Sequence, residues 1–148
     1  MTPNEIRERL LDDHKRLRGL VADVREALVR AAGTPASVAQ VATGLALLTA
    51  ALRAHNVREE GMLREILKHV DAWGPVRAAI MDESHVEEHE DLIEALGATD
   101  GERDVPGLVS RVTGTLDRLL AHMDREEEVL LAEDVLRDDS VVIDYFGG

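Results

Sequence analysis

The clearest indication of the architecture lies in residues 34–70, which read TPASVAQVATGLALLTAALRAHNVREEGMLREILKHV. The apolar side chains there recur every three or four residues at Val38, Val41, Leu45, Leu48 and Leu52, and the stripe resumes after eleven residues, or about three turns, at Leu63 and Ile66. Such spacing places them along one stripe of a helix. Thr34 and Pro35 are a typical helix start, because threonine caps free amides and proline suits the first turn. We therefore predict a long amphipathic helix over residues 35–70.

Three further segments repeat this periodicity and predict helices over residues 3–32, 75–97 and 105–136. Glycines and prolines at Gly33, Gly74-Pro75 and Gly97 separate them. Because the connections are short, neighbouring helices should be antiparallel. We predict an all-α fold, an up-down-up-down four-helix bundle formed by a single domain over residues 1–148.

Two segments lie outside these helices. The polar loop from Ala98 to Asp104 must climb along the bundle, because the third helix is about two turns short. Residues 137–148 form a short C-terminal tail that folds back over one end of the bundle or meets a second subunit.

Composition restricts the partners and the chemistry. The formal net charge of −13 argues against nucleic acid or an anionic membrane surface as a partner. The chain has no apolar run as long as the roughly 18 residues of a membrane span, and its N-terminus is polar, so we expect a soluble, cytoplasmic protein. It also has no cysteine, so any metal must be held by nitrogen and oxygen, which suits iron or manganese and, less selectively, zinc.

Five of the six histidines follow a regular pattern on the predicted helices. The first helix carries one alone, and each of the others carries a second ligand-type residue one turn on: His14; His55 with Glu59; His85 with His89; His122 with Glu126 or Glu127. Residues four apart share one helix face. In an antiparallel bundle all four groups lie at a similar height, roughly 15 to 21 Å from the same end. We therefore predict that they form one site.

The residue types at this site suit two iron ions. Imidazole is a good ligand for iron, and two carboxylates with a bridging oxo or hydroxo group would balance the charge of two ferrous ions. Five histidines divide into three on one ion and two on the other. The second ion then keeps an open position, where a small molecule such as dioxygen can bind.

The order His, His-x-x-x-Glu, His-x-x-x-His, His-x-x-x-Glu resembles the hemerythrin-like (HHE cation-binding) family over nearly the whole chain. The resemblance implies that Glu59 is a bridging carboxylate and that the iron ligands include His14, His55, His85, His89 and His122. For the last ligand, the bacterial members favour Glu126, four residues after the final histidine. Glu127 is the alternative, since oxygen-carrying hemerythrins use an Asp five residues after it and a helical wheel puts Glu127 nearer the apolar stripe.

The ligand of such a site would be dioxygen, peroxide or nitric oxide. Three hypotheses follow: a module that binds or senses dioxygen, a di-iron enzyme that consumes peroxide or nitric oxide, and an iron store or sensor whose folding depends on metal. We expect an aliphatic pocket formed by residues such as Leu52, Leu119 and Met123, with rapid oxidation of the iron. Apart from the one proposed ligand, we expect Glu60 and the acidic runs Glu87-Glu88 and Glu126–Glu128 to face solvent.

Overall fold

The computed structural model describes residues 1–33, 37–97 and 104–138, and the regular secondary structure within these ranges is entirely helical. In chain order the elements are α1 (Pro3–Gly33), α2 (Val38–Val70), α3 (Gly74–Ile80), a π-helical turn (Met81–His85), α4 (Val86–Gly97) and α5 (Val105–Val129). The all-α prediction is confirmed, and the packing is that of a helical bundle.

Side-chain caps at two helix starts agree with the sequence. At α1 the Thr2 amide donates to Glu5 (2.7 Å) and the Glu5 amide donates to the Thr2 hydroxyl (3.2 Å). At α5 the Gly107 amide donates to the Asp104 carboxylate (2.9 Å). These bonds satisfy amides that have no partner within the helix. The predicted start of α2 at Thr34-Pro35 lies outside the described residues.

The segment predicted as one helix over residues 75–97 contains a π-helical turn at Met81–His85. The Val86 amide bonds to the Met81 carbonyl, so one extra residue enters the turn. Before it, α2 and α3 approach so closely that a Cβ on Gly74 would lie 1.8 Å from the Leu67 carbonyl oxygen. Only glycine fits there.

The prediction that the last helix continues to residue 136 is wrong. The helix ends at Val129, and the amides of Leu130 and Leu131 both bond to the Glu126 carbonyl (2.8 and 2.9 Å). The following turns bury Leu131, Val135 and Leu136 against the first part of α1. The free energy gained by burying these three apolar side chains exceeds that of one further turn of regular helix.

The buried apolar side chains form two separate clusters along the bundle. The first contains Leu17, Leu28, Leu48, Leu52, Leu92, Leu116, Leu119 and Met123, among others. The second contains Ile6, Leu10, Leu63, Leu67, Met81, Leu130 and Leu131, among others. In the sequence of each helix, predicted ligands lie between residues of the two clusters: His14, His55, Glu59, His85, His89 and Glu126. His122 is flanked by Leu119 and Met123 of the first cluster. A polar layer therefore divides the core.

Two predictions fall on parts of the chain outside the described residues. These are the loop of residues 98–103, expected to climb along the bundle, and residues 139–148 of the tail. Of the earlier tail residues, Asp138 accepts a hydrogen bond from the Asn4 amide (3.0 Å) at the start of α1. Within the described ranges, no helix combines the length and the apolarity that crossing a membrane requires.

Candidate metal centre

The structure brings together all seven side chains that the sequence predicts as ligands, and we call this set the centre. Its members are His14, His55, Glu59, His85, His89, His122 and Glu126. Each is at most 8% exposed. They divide into one group of His85, His89, His122 and Glu126 and another of His14, His55, Glu59 and Glu126. Within each group the ligand-type atoms lie within 4.8 Å of one another.

The Glu126 carboxylate lies between the two groups. Its Oε2 is 2.9 Å from His14 Nε2, and its Oε1 is 3.0 Å from His85 Nε2 and 3.3 Å from His89 Nε2. The same Oε1 also contacts His122 Nε2. Glu127 is placed differently, since its Oε1 contacts the outward-facing Nδ1 of His14 at 2.9 Å. The geometry therefore favours Glu126 over Glu127 as the inner carboxylate.

Glu59 contacts histidines of both groups as well. Its Oε2 is 3.0 Å from His85 Nε2, 3.3 Å from His89 Nε2 and 3.6 Å from His55 Nε2. Both carboxylates thus contact the Nε2 atoms of His85 and His89, and each also contacts a histidine of the other group. This is the arrangement that two bridging carboxylates would need.

Several inner atoms of the centre are buried without a hydrogen-bond partner: the Nε2 atoms of His14, His55 and His122, Glu59 Oε1 and Glu126 Oε2. His14 Nε2 and Glu126 Oε2 are 2.9 Å apart but are not oriented as a hydrogen bond. Each such group costs about 1–3 kcal/mol when it is left unsatisfied. Because these atoms face one another in two compact groups, cations between them would satisfy them together. The residues present therefore fit a metal site.

The sequence as a whole supports the same assignment. A family model described as the hemerythrin HHE cation-binding domain matches residues 5–133. The chain belongs to this family. Searches among curated proteins and among solved structures gave no match. The centre is thus that of a hemerythrin-like cation-binding domain with His/Glu clusters that can hold metal.

The outer sides of four histidines of this hemerythrin-like domain contact carboxylates, a role that the sequence did not predict for any of them, including Glu127, the alternative ligand. The Nδ1 atoms contact Glu127 (His14, 2.9 Å), Asp13 (His55, 3.4 Å), Glu60 (His89, 2.9 Å) and Glu88 (His122, 3.1 Å). We call Asp13, Glu60, Glu88 and Glu127 the outer carboxylates.

The expectation that Glu60, Glu88 and Glu127 face solvent is wrong. Their side chains are only 24%, 34% and 30% exposed, and each contacts a histidine of the centre. One signal in the sequence could have identified them, because each outer carboxylate is the immediate neighbour of a residue of the centre.

Glu59 and Glu126, which we call the inner carboxylates, raise the pKa of His85 and His89. Burial lowers the pKa of His85, but the bonds to Glu126 and Glu59 outweigh it and raise this pKa to about 9. Burial also lowers the pKa of His89, but the bonds to Glu126, Glu59 and Glu60 outweigh it and raise this pKa to about 10. In turn, burial raises the pKa of Glu126, yet the four histidines around it bring it well below its usual value. Without metal, the centre is a network of paired charges.

His14 and His55, in the other ligand group, have pKa values shifted in opposite directions. Burial lowers the pKa of His55 and is only partly opposed by Glu59. For His14, burial lowers the pKa, but the contacts of its ring with the Glu126 and Glu127 carboxylates outweigh burial, so the pKa is raised. A metal ion therefore displaces protons from some of these imidazoles, and its binding must depend on pH.

In the part of the chain that the structure describes, three cavities reach residues of the centre from the surface, and the one that reaches His55 has a volume of about 230 Å³ and is also lined by Asp13 and Arg58. Another, of about 180 Å³, is lined by His85, His122 and Glu126 together with Ile80, Met81, Glu88, Arg125, Val129 and Leu130. A more open groove of about 870 Å³ between α2 and α4 reaches His89 and Glu60. The residues predicted to form an aliphatic pocket, Leu52, Leu119 and Met123, are buried in the first apolar cluster.

Proposed function

We propose that this domain holds two iron ions and binds a small molecule, such as dioxygen, peroxide or nitric oxide, at an open coordination position. The observation that carries the proposal is the pair of ligand groups that share Glu126. His85, His89 and His122 would hold one ion, and His14 and His55 the other. Glu59 and Glu126 would bridge them, together with an oxo or hydroxo group.

The choice of iron rests on the donor set. The centre offers imidazole nitrogens and carboxylate oxygens, and the chain has no cysteine. This combination suits iron and disfavours the softer metals that prefer thiolates. Iron in such a site supplies reversible binding or redox chemistry with dioxygen, peroxide and nitric oxide. With three histidines on one ion and two on the other, the second ion would carry the open position.

The helices of the proposed bundle run up-down-up-down, and the composition of the two apolar clusters supports this order. Ile6 and Leu10, early in α1, share a cluster with Leu63 and Leu67, late in α2. The later part of α1 shares the other cluster with the early part of α2. This inversion is what an antiparallel pair of helices produces.

Apolar surroundings would keep water away from the bound molecule while leaving it a route to the surface. Leu52, Leu119 and Met123 cover the centre on the side of the first cluster. The cavity of about 230 Å³ reaches His55, which would hold the ion with the open position. With an aliphatic rather than aromatic cover, we expect the iron to oxidise faster than in a dedicated oxygen carrier.

The test is metal content together with the ultraviolet-visible spectrum of aerobically purified protein, before and after dithionite reduction and return to air. We expect about two irons per chain and oxo-bridge absorption bands that bleach and return. His122→Ala should lose most of the iron, whereas His69→Ala, at an exposed histidine outside the centre, should keep it. Protein that binds no iron, or that stays colourless when air is admitted after anaerobic loading with ferrous iron, would refute the proposal.

Enzymatic turnover of peroxide or nitric oxide is a second candidate. It is favoured by the small cavity, which gives a substrate access to His85, His122 and Glu126 and has Glu88 and Arg125 in its wall. Catalytic loss of peroxide or nitric oxide by the iron-loaded protein would support it, and a stable, reversible dioxygen adduct would support the binding module. Iron release that unfolds the chain would instead indicate an iron store or sensor.

A further inference from the structure

The outer carboxylates follow a cyclic order around the bundle. Asp13 of α1 contacts His55 of α2, Glu60 of α2 contacts His89 of α4, Glu88 of α4 contacts His122 of α5, and Glu127 of α5 contacts His14 of α1. Each helix therefore supports a histidine of the next helix, and the last supports the first. The ring passes through all four helices that carry the centre.

This order has a simple origin in the sequence. Each outer carboxylate stands directly beside a residue of the centre, in the pairs Asp13-His14, Glu59-Glu60, Glu88-His89 and Glu126-Glu127. Neighbours in a helix point about 100° apart. When one member of a pair points into the centre, the other can therefore reach across to the adjacent helix.

Arginines hold three of the four outer carboxylates. Arg58 donates to Asp13 (3.0 and 2.7 Å), Arg18 donates to Glu127 (2.6 Å) and Arg125 donates to Glu88. In each case the arginine lies three or four residues after the histidine that the carboxylate supports, on the same helix. One helix thus supplies both the histidine and the cation that orients its carboxylate partner.

The fourth carboxylate, Glu60, is held differently. The equivalent position on α4, four residues after His89, is Ile93, and both residues line the open groove between α2 and α4. Among the described residues, the Glu60 carboxylate contacts His89 at 2.9 Å, and no arginine takes part in this contact. Removing this carboxylate therefore leaves no arginine without its partner.

We propose that Asp13, Glu60, Glu88 and Glu127 are positioning residues that orient the histidines for metal binding. This inference rests on the proposed metal-binding function. A carboxylate that accepts the Nδ1–H of an imidazole directs its Nε2 toward the interior and makes that nitrogen a better donor to the metal. All five Nε2 atoms contact the inner carboxylates. The ring therefore preorganises the ligands and reduces the reorganisation that metal binding requires.

The test compares metal affinity at Glu60, where substitution is cleanest. Glu60→Leu removes both the acceptor and the charge, whereas Glu60→Gln keeps an oxygen that accepts the Nδ1–H but removes the charge. Glu65→Leu and Glu65→Gln, at an exposed acid on the same helix, are the matched controls. The readouts are ferrous-iron dissociation constants, measured anaerobically against a chelator, and the unfolding temperature of the metal-free protein.

We expect Glu60→Leu to weaken iron binding about 10–100-fold and Glu60→Gln to weaken it less, with the Glu65 controls unchanged. Asp13→Asn should also weaken binding relative to Asp12→Asn, its exposed neighbour. If Glu60→Leu does not fold, the iron affinities of Glu60→Gln and Asp13→Asn, each compared with its control, test the inference. The inference is overturned if the wild type binds iron and the folded variants bind it as tightly as their controls. Absence of iron binding by the wild type would instead refute the proposed function.

Discussion

Replacing Glu126 by glutamine should destabilise the metal-free protein in a strongly pH-dependent way. Glu126 contacts four histidines; with Glu59 it raises the pKa of His85 to about 9, and with Glu59 and Glu60 it raises that of His89 to about 10. Relative to 6.5, these shifts correspond to about 3 and about 5 kcal/mol of stability, as orders of magnitude. With about half of this stabilisation assigned to Glu126, its loss costs on the order of 4 kcal/mol, and relief of its repulsion with Glu59 makes the net cost smaller.

The sign follows from the raised pKa values. A histidine whose pKa is higher in the folded state contributes its full stabilisation below its unfolded pKa, about 6.5, and loses it as the pH rises through the folded value. The difference in unfolding free energy between wild type and Glu126→Gln should therefore be largest near pH 6.5, shrink steadily as the pH rises, and nearly vanish above about pH 10.

The assay is urea unfolding of chelator-treated protein, followed by circular dichroism at several pH values. Glu128→Gln, an exposed acid on the same helix, is the control and should behave as wild type at every pH. A Glu126→Gln difference that is constant from pH 7 to 10.5, or a variant more stable than wild type at pH 7, would refute the reasoning. The same variant loses the carboxylate shared by both ligand groups, so its iron content should fall well below that of wild type.

Three other predictions concern acid stability, the bundle end and the turn before α3. The lowered pKa of Glu126 stabilises the metal-free fold above about pH 4.5, so unfolding free energy should fall as the pH drops below that value, and Glu126→Gln should show a smaller fall. Leu131→Ala should lower the free energy of unfolding in urea by about 2–5 kcal/mol, whereas Val129→Ala, at an exposed site, should change it by less than about 0.5 kcal/mol. Equal effects of the two substitutions would contradict the burial of the segment after α5. Gly74→Ala should lower the melting temperature because its Cβ would collide with the Leu67 carbonyl oxygen. Gly114→Ala, in mid-helix with open space around it, should raise the free energy of unfolding by about 0.5–1 kcal/mol. An unchanged melting temperature of Gly74→Ala would argue against the close approach of α2 and α3.

Local patterns in the chain were enough to predict the helical class and the members of the centre. Apolar residues at a period near 3.6 indicate helices, and pairs such as His85 and His89 share a face because they are four residues apart. Since the helices are joined by short connections, counting residues also predicted that the histidines lie at one height. The structure brings all seven predicted residues together.

The distinction between Glu126 and Glu127 depended on contacts between helices. Both lie on α5 after His122, and their spacing alone allows either to point inward. In the folded chain, Arg18 and His14 of α1 bind Glu127 on the outer side, while Glu126 lies among four histidines. The sequence of α5 alone does not contain this information.

The π-helical turn at Met81–His85, the end of the last helix at Val129 and the roles of the outer carboxylates also depend on tertiary packing. Each involves a small local cost, such as an irregular turn or a half-buried charge, that contacts from elsewhere in the chain offset. Helix periodicity is a property of neighbours in the sequence and can be read from them. The partners of Glu60, Glu88 and Leu131 lie on other helices, and only the folded arrangement brings them within reach.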